Sequence, residues 1–194
     1  MKLIKKIISC LFLCSTLISC SQNHEEEITI KFNEYGQTFI EKNYQKAIKE
    51  YMYEDYFRVF PKDSLLKMLN DTYNNNIYNV NIHEFKTTNI HDIQTIDGNN
   101  YAFLNYSFKS ELVMNENIVL KKELIEKVLN NADNLFGKNT AKYIESDSKF
   151  EINATRKALA IKKSNEVTWK FLIVEKHYIP YLAEILPDSI IEQF

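Results

Sequence analysis

The chain has 194 residues, a formal net charge of −2 and only two arginines, Arg58 and Arg156. A weakly acidic, arginine-poor sequence without a basic stripe excludes the electrostatic footprint of a nucleic-acid-binding protein. Twelve Tyr and 12 Phe against three Gly and three Pro exclude a disordered chain and predict packed regular structure.

In chain order, Lys2, Lys5 and Lys6 precede an apolar run from Ile7 to Ile18, the layout of a secretory signal peptide. A bilayer-spanning helix needs about 20 apolar residues, and this run is shorter, so no permanent span is expected. The run ends in Leu17-Ile18-Ser19-Cys20: a branched apolar residue, a tolerant position, a small residue, then cysteine. This segment resembles the lipobox of bacterial lipoproteins. The resemblance implies a diacylglyceryl group on the Cys20 thiol, cleavage before Cys20, and acylation of the new amine by a fatty acid such as palmitate. It also implies a lipid-anchored place in the bacterial cell envelope, periplasmic or surface-facing.

On that reading, residues 1–19 are a lipoprotein signal peptide and residues 20–28 a lipidated tether, with His24-Glu25-Glu26-Glu27 as a solvated spacer. Residues 29–194 form a single α+β domain. The three cysteines are Cys10, Cys14 and Cys20, so no thiol remains for a disulfide, a metal site or cysteine catalysis. Loss of the three leader lysines takes the formal charge from −2 to −5.

From Phe32 the apolar residues Phe32, Tyr35 and Phe39, then Tyr44, Ala47, Ile48 and Tyr51, follow a helical period, with a break near Asn43. Pro61 and Asp63 mark the start of a third helix whose apolar face carries Leu65, Leu66 and Leu69. The period then becomes two. Val80 and Ile82 begin a strand that continues through Ile90-His91-Asp92-Ile93-Gln94-Thr95-Ile96. A turn at Asp97-Gly98 follows, and then Ala102, Leu104, Tyr106, Phe108, Ser110 and Leu112 share one parity. Two alternating runs about Asp-Gly predict a hairpin. Residues 116–136 return to helical spacing, with Leu120, Leu124, Val128, Leu129, Ala132 and Leu135 on a stripe and Gly137 as a stop. This reads as an inserted helix over an edge or mouth of the sheet. Strands are expected over 148–161 and 167–175, and a two-piece helical tail about Pro187.

Helices followed by long antiparallel strands describe an α+β domain. The order of helical pairs, a Pro-started third helix, long strands and a late Trp169-Lys170-Phe171-Leu172 strand is similar to that of the NTF2-like superfamily, over roughly residues 28–176. The resemblance implies N-terminal helices packed on a curved antiparallel sheet, a cone with an interior pocket. The inserted helix departs from the simplest pattern. That fold hosts enzymes, ligand binders and assembly modules, so it selects no function by itself.

His83 and His91 lie eight residues apart, about 26 Å on one continuous strand, too far to share a metal. They read as exposed strand histidines, with His24 in the tether and His177 near the tail. The sequence shows no nucleophile elbow, Ser-x-x-Lys motif or phosphate-cradling glycine loop, and no cofactor or metal is assigned. Arg156 shares parity with Phe150, Ile152, Ala154, Ala158 and Ala160, which places a guanidinium on an apolar face. It needs a countercharge or an anionic ligand there, Glu84 being one candidate partner, unless a bulge or an edge position turns it to solvent. Tyr51, Tyr53 and Tyr56 near Arg58 suit a pocket lining, an interface or a core, and Trp169 suits a core anchor or a pocket wall. The candidate ligand-binding residues are Tyr56, Tyr106, Arg156 and Trp169. The expected role is a non-catalytic ligand-binding or protein-assembly module, with an unknown envelope protein or small ligand as partner. A small-molecule enzyme using the cone pocket and an envelope immunity or inhibitor protein are the alternatives.

Overall fold

A computed structural model describes residues 24–115, 118 and 120–194. The leader, Cys20 and the start of the tether lie outside the described residues, as do three residues ahead of the inserted helix. The chain is α+β. Helix α1 covers 24–40; α2, Tyr44–Lys46, runs into a π-helical turn at Ala47–Tyr51 and a 3₁₀ turn at Glu54–Arg58; α3 is Lys62–Tyr73. Then come β1 (Tyr78–Ile90), β2 (Gln94–Ile96), β3 (Asn99–Met114), α4 (Lys122–Phe136), β4 (Ala141–Ile144), β5 (Lys149–Lys162) and β6 (Lys170–Ile173). Two short helices, α5 (Ile179–Leu182) and α6 (Asp188–Ile191), flank Pro187. Among the described residues, no helix is long and apolar enough to cross a membrane.

The six strands form one curved, unclosed antiparallel sheet. Its spine is the pair β3–β5, in register from Asn100 opposite Lys162 to Val113 opposite Lys149. β1 and β2 share the other edge of β3, and β4 and β6 share the outer edge of β5. The β2–β3 turn sits on Asp97 (φ 50°) and Gly98 (φ 77°), the two positive φ values a type I′ hairpin requires. Even-numbered β3 residues face the core as their parity predicts: Ala102, Leu104, Tyr106 and Ser110 are buried.

The helical face of the sheet is closed by an aromatic interlock. Phe32 of α1 meets Phe85, Tyr106 and Phe171 with ring centroids 5.0–5.2 Å apart. One turn on, Tyr35 stacks on Phe171 at 5.9 Å, and Phe39 stacks on Phe85 at 6.3 Å. Gly36 lies between them, where a Cβ would overlap the Phe85 ring, so the absence of a side chain is what lets α1 approach β1. The opposite face is buried at one end as well, by Phe103, Leu159, Ile161 and Leu172. Leu182, Leu186 and Ile190 of the tail join that cluster, and Phe194 packs edge-on against Phe103 at 5.3 Å.

Four expectations change. The helix expected from Phe32 reaches back at least to His24, and Ile28 is fully buried, so packed structure begins inside the stretch assigned to the tether. The strand expected through residue 96 breaks at 91–93 and carries two bulges, between Ile82 and Glu84 and between Thr87 and Asn89. Asn33 of α1 serves the second bulge, its side-chain oxygen accepting from the Thr87 amide and hydroxyl, both at 3.1 Å. The inserted helix buries Ala132 and sets Phe136 against Phe108 at 5.5 Å, but Leu135, expected on its apolar stripe, is 57 % exposed. The late strand shortens to β6, and β4 is an addition the sequence pattern did not suggest.

Gly36→Ala is expected to destabilise the domain by about 1–3 kcal/mol, the range for overpacking a filled core. The double variant Gly36→Ala/Phe85→Leu should recover part of that loss in urea unfolding. Wild-type stability for Gly36→Ala would show that the α1–β1 approach is loose.

Candidate functional site

Arg156 sits on regular β5, directly opposite Tyr106 of β3, on the outer edge of β5 between the segments paired to β4 and to β6. No bulge turns it away, so its side chain follows strand parity to the core face and is only 12 % exposed. Its guanidinium forms an ion pair with Glu175, just past β6. It also donates to the Leu135 carbonyl near the end of α4 at 2.6 Å and lies 5.3 Å from the centre of the Phe136 ring. The sequence reading was right that the charge needs a partner and wrong about Glu84. The bulge at His83 reverses parity, putting Phe85 opposite Phe108 on the core side and Glu84 beside Lys109 at 2.8 Å on the other face.

Several phenols lie within electrostatic range of the pair. The Glu175 charge bears on Tyr56, Tyr73, Tyr106 and Tyr178, and Tyr35 feels Tyr106, Tyr73 and Tyr56 in turn. Burial is the main cause that raises every one of these phenols above its ordinary value of 10, Tyr73 to about 12. Tyr56 is further packed against Phe60, centroids 4.8 Å apart. Of the four candidate ligand-binding residues, Arg156 pairs with Glu175 and stands across the ladder from Tyr106, and the Glu175 charge is felt at Tyr56 and Tyr106.

Trp169 belongs elsewhere. It is buried where β6 begins, and its indole N–H donates to Glu27 of α1 at 3.2 Å. Lys162 reaches the same carboxylate at 3.3 Å and lies 5.9 Å from the indole centre, while the His24 ring meets the indole edge-on at 5.8 Å. Burial works to raise the Glu27 carboxyl, but hydrogen bonds from Lys162, His24 and Trp169 outweigh it and hold the group below its ordinary value.

Sequence reasoning missed Glu175 although the strand expected through residue 175 gives it the parity of Phe171 and Ile173, because the register that sets it across from Arg156 depends on how β6 pairs with β5. The one signal available was a lone acid closing the apolar run Phe171-Leu172-Ile173-Val174.

Open volume lies on the other side of the sheet. A cleft of about 550 Å³ is lined by His83, Lys109, Glu111, Lys142, Glu151 and Asn153 among others. Glu111 and Glu151 stand directly opposite each other, a repulsive arrangement for like charges. Lysines offset it: Lys149 reaches Glu111 at 2.6 Å and Glu151 at 3.6 Å, and Lys142 reaches Glu151 at 2.8 Å; the His83 ring also lies 3.1 Å from Glu111. A second, polar cleft of about 480 Å³ borders His91, Asp92, Gln94, Lys157 and Gln193, with His91 3.3 Å from the Asn105 amide. Neither cleft touches Tyr56, Tyr106, Arg156 or Trp169. Among the described residues, no group of three His, Cys, Asp or Glu side chains is placed to hold a metal ion. No protein-family model, curated protein or solved structure matches this chain.

Two outcomes test the cluster. Glu175→Gln leaves the Arg156 guanidinium without a countercharge and is expected to cost about 1–3 kcal/mol, below the fully buried range because both partners keep some solvent contact. Arg156→Met/Glu175→Leu should cost less than the two single changes together, and additivity in urea unfolding would show that the pair is not coupled. The raised phenols hold their protons more tightly in the folded chain than in the unfolded one. Their contribution is therefore fully present below about pH 10 and lost as pH rises through the folded values. The unfolding midpoint should fall steeply above that point, less so in Tyr106→Phe, whereas a flat midpoint up to pH 12 would contradict the burial of these hydroxyls.

Proposed function

We propose that this chain is a bacterial lipoprotein, held in the cell envelope by acyl chains on Cys20, whose α+β domain is a non-catalytic module that binds an envelope protein or a small ligand. The observation that carries the anchoring is Leu17-Ile18-Ser19-Cys20 behind a lysine-headed apolar run too short to span a bilayer. Two buried chains hold firmly where one is only marginal.

We further read the domain as NTF2-like. Support comes from helices that precede a curved antiparallel sheet and cover one of its faces with aromatic side chains. In this reading Tyr56, Tyr106 and Arg156 close the interior around Glu175, and the binding surface is the cleft on the charged face. That cleft presents alternating cations and carboxylates with the Asn139 and Asn153 amides at its border. Such a surface suits a polar partner met edge-on better than an apolar small molecule.

Native mass spectrometry of the protein extracted gently from its host's membrane tests both parts. The expected species begins at Cys20, carries the mass of acyl chains and retains a second polypeptide or a passenger. Cys20→Ser should keep the leader and leave the acylated membrane fraction. A membrane-bound chain with an unmodified Cys20 would sink the anchoring, and an acylated chain with nothing bound under gentle extraction would count against the binding role.

A further inference from the structure

We propose that the β5–β6 turn, residues 163–168, is the face by which the domain rests on the lipid bilayer, with Val167 as its apolar contact. This rests on the lipid-anchored reading of Cys20 and goes beyond it, because an anchor alone leaves the orientation of the domain open.

Three observations converge on this end of the molecule. The first is reach. Only residues 21–23 separate Cys20 from the helix at His24, and four residue steps span at most about 14 Å. A domain of this size has a radius of gyration of roughly 15 Å, so the surface around His24 faces whatever holds Cys20. The second is place. The first described turn of α1 is clamped to the sheet beside this turn: Glu27 accepts from Trp169 and Lys162, and the His24 ring meets the Trp169 indole. Trp169 is two residues from Val167, so a short tether and a rigid clamp bring the turn down beside the anchor. The third is the surface itself. Val167 is 90 % exposed, against 57 % for Leu135, the next most exposed large apolar side chain among the described residues. It stands at a turn whose neighbours hold their shape: the Ser164 amide donates to Asn99 at 3.0 Å, and Lys163 pairs with Asp55 at 2.9 Å. A rigid turn with one bare branched side chain at its tip, beside a lipid anchor, suits shallow seating in the headgroup and acyl boundary.

The same placement gives Trp169 a role that a ligand site did not. It fixes α1 to the β6 end of the sheet, so that the start of α1 and the turn move as one body.

The test uses the full lipidated chain on vesicles of neutral and anionic phospholipid. With Cys20 thioether-linked, Val167→Cys and Ser146→Cys each supply the one free thiol for a fluorescent label. Ser146 lies in the turn just before β5, roughly 40 Å along β5 from residue 162. The label at 167, seated about 5–10 Å into the interface, is expected to lose more than half its emission to lipid-phase quenchers and to resist aqueous iodide. The label at 146 should behave in the opposite way. If the chain floats with the vesicles and both labels are equally open to iodide, the docking face is wrong and the anchor stands. If the chain carries no acyl mass and does not float, both readings fall together.

Discussion

The interlock of α1 with the sheet is the constraint on which the rest of the structure depends. Phe32, Tyr35 and Phe39 lie on successive turns of one helix face and meet Phe85, Tyr106 and Phe171 from three different strands. Aromatic rings bury large areas and gain further from edge-on and offset contacts. The interlock therefore ties β1, β3 and β6 to a single helix before any polar group is considered. Gly36 is its condition, since a side chain there would hold α1 off β1. Residues 21–194 contain no cysteine, so cohesion within the domain has to come from this packing rather than from cross-links.

Within that frame the Arg156–Glu175 pair has a structural logic. β5 is paired on its outer edge at both ends, to β4 and to β6, and Arg156 stands between them. Its guanidinium joins two segments distant in sequence: α4 through the Leu135 carbonyl and the Phe136 ring, and the exit of β6 through Glu175. A charge on an apolar face is costly unless it is paired and hydrogen-bonded, and here Glu175 and the Leu135 carbonyl supply both. Tyr35, Tyr56, Tyr73 and Tyr106 hold their protons tightly chiefly because they are themselves buried.

Much of this was legible in the chain because parity and period are local. The even residues of β3, the Asp97-Gly98 turn, the Pro61 start of α3 and the position of Arg156 on the core face all follow from side-chain alternation or backbone chemistry. What escaped depended on partners far away in sequence. The bulge at His83 reverses the face of Glu84, and nothing in Asn81-Ile82-His83-Glu84 marks it, because a bulge is set by the strand opposite. Glu175 acquires its role only when the exit of β6 meets β5. The start of α1 was hidden by three consecutive glutamates that read as spacer, although Glu27 is held by Trp169 and Lys162 more than a hundred residues later. Of the residues grouped as a candidate ligand site, Tyr106 stands across from Arg156, whereas Trp169 packs with α1.

The consequence for function is mechanical. If Cys20 carries the proposed anchor, a helix packed from its first described turn would hold the sheet and the charged cleft close to the membrane. Amide hydrogen exchange of the lipidated protein tests this coupling most directly. Residues 28–36, the first whose helical acceptor carbonyls are described, are expected to exchange nearly as slowly as the centres of β3 and β5. If those residues exchange at the rate of a free peptide while the sheet stays protected, the anchor is joined by a flexible leash and the account of a rigidly held domain fails.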